Sequence, residues 1–522
     1  MSHVVPICVY GGSMYDRRMP DNRLSGRISA APSDLLHREI LEPQFRYEAE
    51  HLLPWYVAIE KVLALEYSRM NLIEKDDARR IGSLLDEIST EGLQADPEAN
   101  YSDIAFAVER HVEQRLDPAV PRWHVDRSRN DLQACAQLLF GRSQVLRAAG
   151  ALTAFGRAAH RLAAAHTDTP MPGYTHLQSA QIITPGFYLA ALTDRVIHAL
   201  ERFLTTYRGI DLCPLGAGAM AGQEIPWDRA EMARLLGFRA ANPHALTSVA
   251  SRDWVVEVTA ELSLLATWLG RFCTDLMAWG SSEYGLIELP DELSGISSAM
   301  PQKKNYPVLE RIRGRTAHLV SLHLDAVLGQ RNTSYSNSVE VSKEAGAHVL
   351  GSFDTLCSTL GLFTTVLEHL RFREERALAL CEREYLGGFS LANLLTLEEG
   401  VPWRRAQVVA GQFITACVEK GLPPAQADPE LLRAVAVQNG FELSRPEHLV
   451  AESFDVRRGL LRKSSPGSAH PDAVRALLAE QAQRLDELDK EWAACAGTVD
   501  AALARTDGLL GIGAAKNGDD AR

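Results

Sequence analysis

From residue 132 to residue 168 the chain reads "LQACAQLLFGRSQVLRAAGALTAFGRAAHRLAAAHTD", without one proline and rich in Ala, Leu and Arg. These are strong helix formers, and nothing in the run breaks a helix. "GFYLAALTDRVIHALERFLTTYRG" (186–209), "DWVVEVTAELSLLATWLGRFCTDLMAWG" (253–280) and "GSFDTLCSTLGLFTTVLEHL" (351–370) share this character. A further helix follows Asn305, with apolar or small side chains recurring at Leu309, Ile312, Thr316 and Leu319. Helices of about 25 to 35 residues exceed the usual length of about 11 or 12, and several of similar length bury one another best as a long bundle. Strand signals are nearly absent. The fold class is mainly α.

The remainder of the chain differs from this centre. Residues 1–122 are mixed but mainly helical, with a glycine- and proline-punctuated start and helices around 40–70 and 74–92. Beyond about 375 the helices shorten around Gly387-Gly388, Pro402 and Pro423-Pro424, and the end, "RTDGLLGIGAAKNGDDAR", reads as a fraying tail. The expectation is three domains: 1–122, a long-helix domain 123–375, and a small C-terminal domain 376–522. No internal repeat is present.

A formal charge of −13 argues against a nucleic-acid surface, but not against a small anion held by a few local cations. The start lacks a signal peptide's basic and apolar blocks, and the apolar stretch 254–270 is broken by Glu257 and Glu261, so no membrane span is expected. The eight cysteines are scattered with no C-x-x-C pair, which fits a reduced, cytoplasmic protein. His160 and His166 do not share a helix face, and no cluster has metal-ligand spacing.

Three polar islands interrupt the long helices. They are "WHVDRSRNDL" (123–132), "TPMPGYTHLQSAQIITPG" (169–186) and "SGISSAMPQKKN" (294–305). Read alone, Arg127, Arg129 and Asp131 can serve as a helix cap, and Thr175-His176 as a tight turn. "GAGAMAG" (216–222) misses the spacing of a dinucleotide loop and follows no strand, so it reads as a close-packing turn. The third island resists such accounts. Lys303, Lys304 and Asn305 sit ahead of a helix N-terminus, the wrong end for cations unless an anion binds there.

"SSAMPQKKN" resembles the signature loop Gly-Ser-Ser-x-Met-Pro-x-Lys-x-Asn of the aspartase/fumarase superfamily. "RSRND", "PGYTHLQSAQ", "PLGAGAMAG" and "SRDWVVE" resemble the argininosuccinate lyase family. The resemblance implies a three-domain fold whose central long-helix bundle forms a homotetramer core, with each active site shared between subunits. It implies β-elimination from an N-substituted aspartate to fumarate and an amine, or the reverse addition, with no cofactor and no metal. Its partners would be a small dicarboxylate or amino-acid substrate, with no nucleic acid and no membrane.

On these motifs Ser297 is the expected base, Lys303 stabilises the developing carboxylate charge, His176 assists the leaving nitrogen, and Glu310 pairs with that histidine. Ser128, Arg129, Asn130, Thr175, Met300 and Asn305 would bind the succinyl half, and Tyr335, Glu340 and Lys343 the leaving group. Argininosuccinate lyase proper is the alternative, and a non-catalytic crystallin-like protein a remote one.

The sequence also departs from the family. Ile296 stands where the loop has glycine, Tyr306 where proline is usual, and Val125-Asp126 where Thr-Gly precedes "RSRND". "YSDIA" (101–105) replaces "DEDIH", and Glu340 takes the place of a glutamine. The expectation is a conserved elimination apparatus with a divergent leaving-group pocket.

Overall fold

A computed structural model describes residues 27–512, Ser29 excepted. Cys8, the punctuated start and the last ten residues of the tail lie outside the described residues. Of the described residues, 66% are helical. The proline-free run forms one helix, Arg129–Ala165, of 37 residues. Pro185–Gly209, Asp253–Trp279, Pro307–Gln330 and Val349–His369 follow as long helices. The second is started by Thr184, whose hydroxyl accepts from the Phe187 amide at 3.0 Å, with Pro185 at the first position, where no amide is needed. Strands occur only as four two-stranded pairs among the described residues.

Contacts divide the chain into two compact units assembled from discontinuous stretches, and the division falls inside the Arg129–Ala165 helix. One unit comprises 141–211 and 250–499. Its centre is the Asp253–Trp279 helix, packed against Pro307–Gln330, Val349–His369 and Pro185–Gly209. Leu262, Leu265, Leu269 and Leu276 are buried on it, and Leu309, Ile312, Thr316 and Leu319 are buried on its neighbour at the spacing read from sequence. Each such leucine contributes about 1.5–3 kcal/mol by leaving water. At Gly270 a Cβ would lie 3.1 Å from Thr316 Oγ1, so the two helices approach closely there.

By composition Glu340–His369 is long and apolar enough to cross a membrane. Its residues Phe353, Leu356, Leu360 and Phe363 are nonetheless fully buried among the other helices. The C-terminal helices of this unit form a core of their own around Leu391, Leu395, Val409, Phe413, Leu432 and Leu449.

The other unit comprises 1–140, 212–249 and 500–522. Its Leu53–Arg69 helix buries Tyr56, Ile59, Val62, Leu63 and Tyr67. The end of the Pro471–Leu510 helix belongs here, which corrects the expected fraying of 505–512. Thr506 is buried and donates to the Leu235 carbonyl at 3.1 Å, and Leu510 and Ile512 are buried. Ile512 Cδ1 lies where a Cβ on Gly82 would come within 2.8 Å. The segment reads as polar because its apolar residues are few and Leu509 is exposed, but Thr506 and Leu510, one turn apart, share the buried face.

Lys61 is nearly buried, with its Nζ 2.6 Å from Asp86 and 2.7 Å from Asp507. Burial pulls its ammonium down, but the two carboxylates more than offset this and hold it above the ordinary lysine value. A lysine raised on folding stabilises at every pH below its unfolded value, and that stability is lost only as pH rises through the folded value. At neutral pH the full contribution is therefore present. Lys61→Ala, and separately a chain ending at Arg505, should each lower the thermal midpoint at pH 7 by at least about 4 °C. Scanning calorimetry of the three proteins checks this.

Candidate active site

In the first island the two arginines divide their work. Arg127 is nearly buried and grips Glu60 through Nη2–Oε1 at 2.7 Å and Nη1–Oε2 at 3.2 Å. Burial would push the Glu60 carboxyl up, but Arg127 and then His124 bring it below the usual range. Arg129 is exposed, its Nη1 3.3 Å from Asp103 Oδ2 and its guanidinium 5.4 Å from the centre of the Phe106 ring. An exposed pair of this length is weak and readily exchanged for a ligand carboxylate. Ser128 Oγ accepts from the Asn130 amide at 3.2 Å, and Asn130 Nδ2 donates to the Ala219 carbonyl at 3.0 Å.

Asp131 is buried and accepts the Gly216 and Gly218 amides at 2.9 and 3.1 Å, and burial pushes its carboxyl up to about 6. Both glycines are left-handed, and a Cβ on Gly218 would lie 2.6 Å from the Gly222 carbonyl oxygen. "GAGAMAG" is thus a turn closed over Asp131.

The second island is a β-hairpin, Met171–Thr175 against Gln178–Ile183, with Thr175 opposite Gln178. The tight turn is His176-Leu177, and both residues have positive φ, 53° and 62°. Two-residue hairpin turns of this kind favour Asn-Gly, so a histidine and a leucine here hold roughly 1–2 kcal/mol of backbone strain each. The stems are anchored. Met171 is buried, and Ile182 packs with Cys381, Leu386, Val456 and Leu460. Thr175 and His176 project from the exposed tip, and His176 has no side-chain hydrogen-bond partner among the described residues.

The signature loop is closed by a short stem in which Gly295 and Ile296 pair with Asn305 and Lys304. Ser297 Oγ accepts from the Met300 amide at 3.0 Å and the Ala299 amide at 3.4 Å. Two donors aimed at this oxygen favour its anionic form. Lys304 is engaged by Asp291 at 2.8 Å and Glu288 at 3.8 Å. Lys303 makes no side-chain bond among the described residues and is exposed, as is Met300. Asn305 Nδ2 reaches the Gly295 carbonyl at 3.4 Å. The helix begins at Pro307 with no side-chain cap, so its positive end is open, and Glu310 stands exposed in its first turn.

The residues expected at the leaving group lie farther on. Tyr335 is exposed, and Glu340 and Lys343 share a π-type turn, Glu340–Glu344, closed by the Ala345 amide on the Glu340 carbonyl at 2.8 Å. Such turns recur at functional sites. Within one chain no hydrogen bond joins Thr175 or His176 to Ser297 or Lys303 among the described residues. The sequence missed the roles of Arg127 and Asp131, whose partners lie 67 and 85 or more residues away. "RSRND" marks them as charged but does not say which side chains are buried.

Fold and site motifs together define a carbon–nitrogen lyase that releases fumarate. A lyase family model matches residues 39–320. The argininosuccinate lyase of Methanothermobacter thermautotrophicus is 32% identical over 412 residues, covering 78% of this chain and 88% of the relative. That of Frankia casuarinae is 31% identical over 472 residues, covering 90% and 98%. An EDDS lyase variant solved with bound fumarate superposes with a TM-score of 0.79 at 24% identity, over 94% of this chain and 98% of that one, and so shares the fold. The chain belongs to the argininosuccinate lyase family of the aspartase/fumarase superfamily.

The two arginines should separate on mutation. Arg127→Met leaves Glu60 buried without its partner and should cost about 3–5 kcal/mol of stability. Arg129→Met should leave stability within about 0.5 kcal/mol, as at most exposed positions, while abolishing fumarate formation. Chemical denaturation and fumarate absorbance measure the two effects.

Proposed function

We propose that this enzyme cleaves an N-substituted aspartate whose amine half is not arginine, using a site shared between the subunits of a cytoplasmic homotetramer. The observation that carries the elimination chemistry is the pair of backbone amides on Ser297 Oγ. As an alkoxide, Ser297 takes the proton next to the substrate carboxylate, and the C–H electron pair moves into an aci-carboxylate. Lys303 and Asn305 stabilise that charge. The electrons return to form the carbon–carbon double bond, and the C–N pair leaves on nitrogen, which gains a proton from His176 directly or through water. Arg129 and Thr175 hold the succinyl carboxylates.

The shared site is supported by exposure. Thr175, His176, Lys303 and Glu310 are all exposed in the single chain. Val320, Leu324 and Leu328 form an exposed apolar stripe at helical spacing on Pro307–Gln330, a surface suited to another copy of the bundle. Inactive His176→Asn and Ser297→Ala tetramers should regain part of the activity when dissociated and reassembled together. Recovery in no mixture would overturn the shared site. Ser297→Ala alone should lose at least about 10²-fold in rate, as removal of a base does.

The amine half is argued from Glu340. A substrate carboxylate facing it would meet repulsion of about 1–4 kcal/mol at an effective dielectric between 20 and 80, whereas an ammonium or neutral amine would not. The names of the relatives favour argininosuccinate itself. Measuring kcat/KM for argininosuccinate decides between the two, and a value above about 10⁴ M⁻¹s⁻¹ would make the enzyme an argininosuccinate lyase proper. A low value, with fumarate released from another N-substituted aspartate, is the expected result.

A further inference from the structure

Asp126 occupies a position where the resemblance places glycine. Its φ of 60° is left-handed, a conformation that glycine adopts freely and that aspartate and asparagine tolerate best among the rest. The side chain does what glycine cannot. Its Oδ2 accepts from the Glu224 amide at 3.0 Å, the Ile225 amide at 3.1 Å and the Trp227 indole at 3.0 Å. Its carbonyl accepts from Gln223 Nε2 at 2.7 Å. What burial it has would push the carboxyl up, yet the Trp227 indole and the two amides hold it below the usual carboxylate range.

The surroundings extend this junction. The Trp227 ring stands edge-on to Tyr67, 5.1 Å between centres, and the Tyr67 hydroxyl donates to the Val125 carbonyl at 2.8 Å. At the other end of the island, Asn130 and Asp131 hold Ala219, Gly216 and Gly218. The 126–131 turn is therefore fastened at both of its ends to the 216–227 segment, and Ser128 and Arg129 lie between the two fastenings.

We propose that Asp126 is a positioning residue that clasps 223–227 to this turn and so fixes the direction in which Ser128, Arg129 and Asn130 meet a substrate carboxylate. The inference rests on Arg129 being a carboxylate-binding group, as proposed above, but the clasp can be measured without it. Asp126→Gly keeps the backbone freedom and removes the acceptor, whereas Asp126→Asn keeps an acceptor and a tolerated conformation. Trp227→Phe removes one donor and retains an aromatic ring on Tyr67, and it serves if Asp126→Gly does not fold.

Two readouts separate the parts, amide hydrogen exchange of segments 126–131 and 216–228, and calorimetric titration with fumarate as the probe. Asp126→Gly should exchange faster in both segments and bind fumarate at least about tenfold more weakly, less than the loss of one hydrogen bond to a charged group. Asp126→Asn should restore both to within about threefold of wild type, and Trp227→Phe should fall between. Unchanged exchange in Asp126→Gly would overturn the clasp. Faster exchange with unchanged fumarate affinity would overturn the positioning role. Failure of the wild-type protein to bind fumarate would instead count against the proposed substrate, and exchange alone would then judge the clasp.

Discussion

The packing of Asp253–Trp279 against Pro307–Gln330 is the contact on which the signature loop depends. The segment between these helices carries Ser297, Met300, Lys303 and Asn305; it starts and ends at a narrow neck, and its first half is anchored as well, with Ile287-Glu288 paired to Phe372-Arg371 and Leu286 and Leu289 buried. At that neck a Cβ on Gly280 would lie 2.9 Å from the Tyr306 ring, and one on Gly295 would lie 2.9 Å from Pro307 Cγ. Any larger residue at either glycine would pry the neck apart. The Gly295–Ile296 and Lys304–Asn305 stem then closes the loop a second time. The helices and this stem thus fix both ends of the signature loop, whose residues 298–304 are exposed.

Much of this was legible in the sequence, for a physical reason. Helix periodicity is a local property, and the buried set Leu309, Ile312, Thr316 and Leu319 could be read from spacing alone. The hairpin at 171–183 could not. Its stems contain Pro172 and Gly173, and its turn is His176-Leu177, a pair that does not signal a two-residue hairpin turn as Asn-Gly does. Its strand character comes from Ile182 packing against residues some 200 positions later. The docking of the chain's end was hidden in the same way. Thr506, Asp507 and Ile512 look unremarkable until Leu235, Lys61 and Gly82 are brought to them. For the site, the motifs identified the chemistry, but only the fold divides Arg127, held by Glu60, from Arg129, left at the surface.

The departures from the family are not scattered at random with respect to the chemistry. Ser297, Lys303, Asn305, Thr175 and His176 match their motifs, and the substitutions fall around them. Tyr306 in place of proline covers Gly280 at the neck of the loop. Asp126 in place of glycine keeps the left-handed turn and gains three donors. Ile296, 95% exposed on the stem, is the exception, since nothing in the structure explains it. Glu340 and "YSDIA" (101–105) differ in kind, because they alter charge rather than support.

In a protein with a formal charge of −13, the cations of the two motif pairs differ in how firmly carboxylates of the same chain engage them. Arg127 is neutralised by Glu60, Lys61 by Asp86 and Asp507, and Lys304 by Asp291 and Glu288. Each of these has two carboxylates or a bidentate grip, and a ligand would have to displace a better partner. Arg129 has a single exposed contact at 3.3 Å, and Lys303 has none among the described residues. On the proposed site, a carboxylate meeting Arg129 or Lys303 would displace no strong partner. Lys303 and Lys304, adjacent in sequence, divide just as Arg127 and Arg129 do. In each pair one cation holds the backbone in place so that the other can be left without a strong partner, which is the state that binding an anion requires.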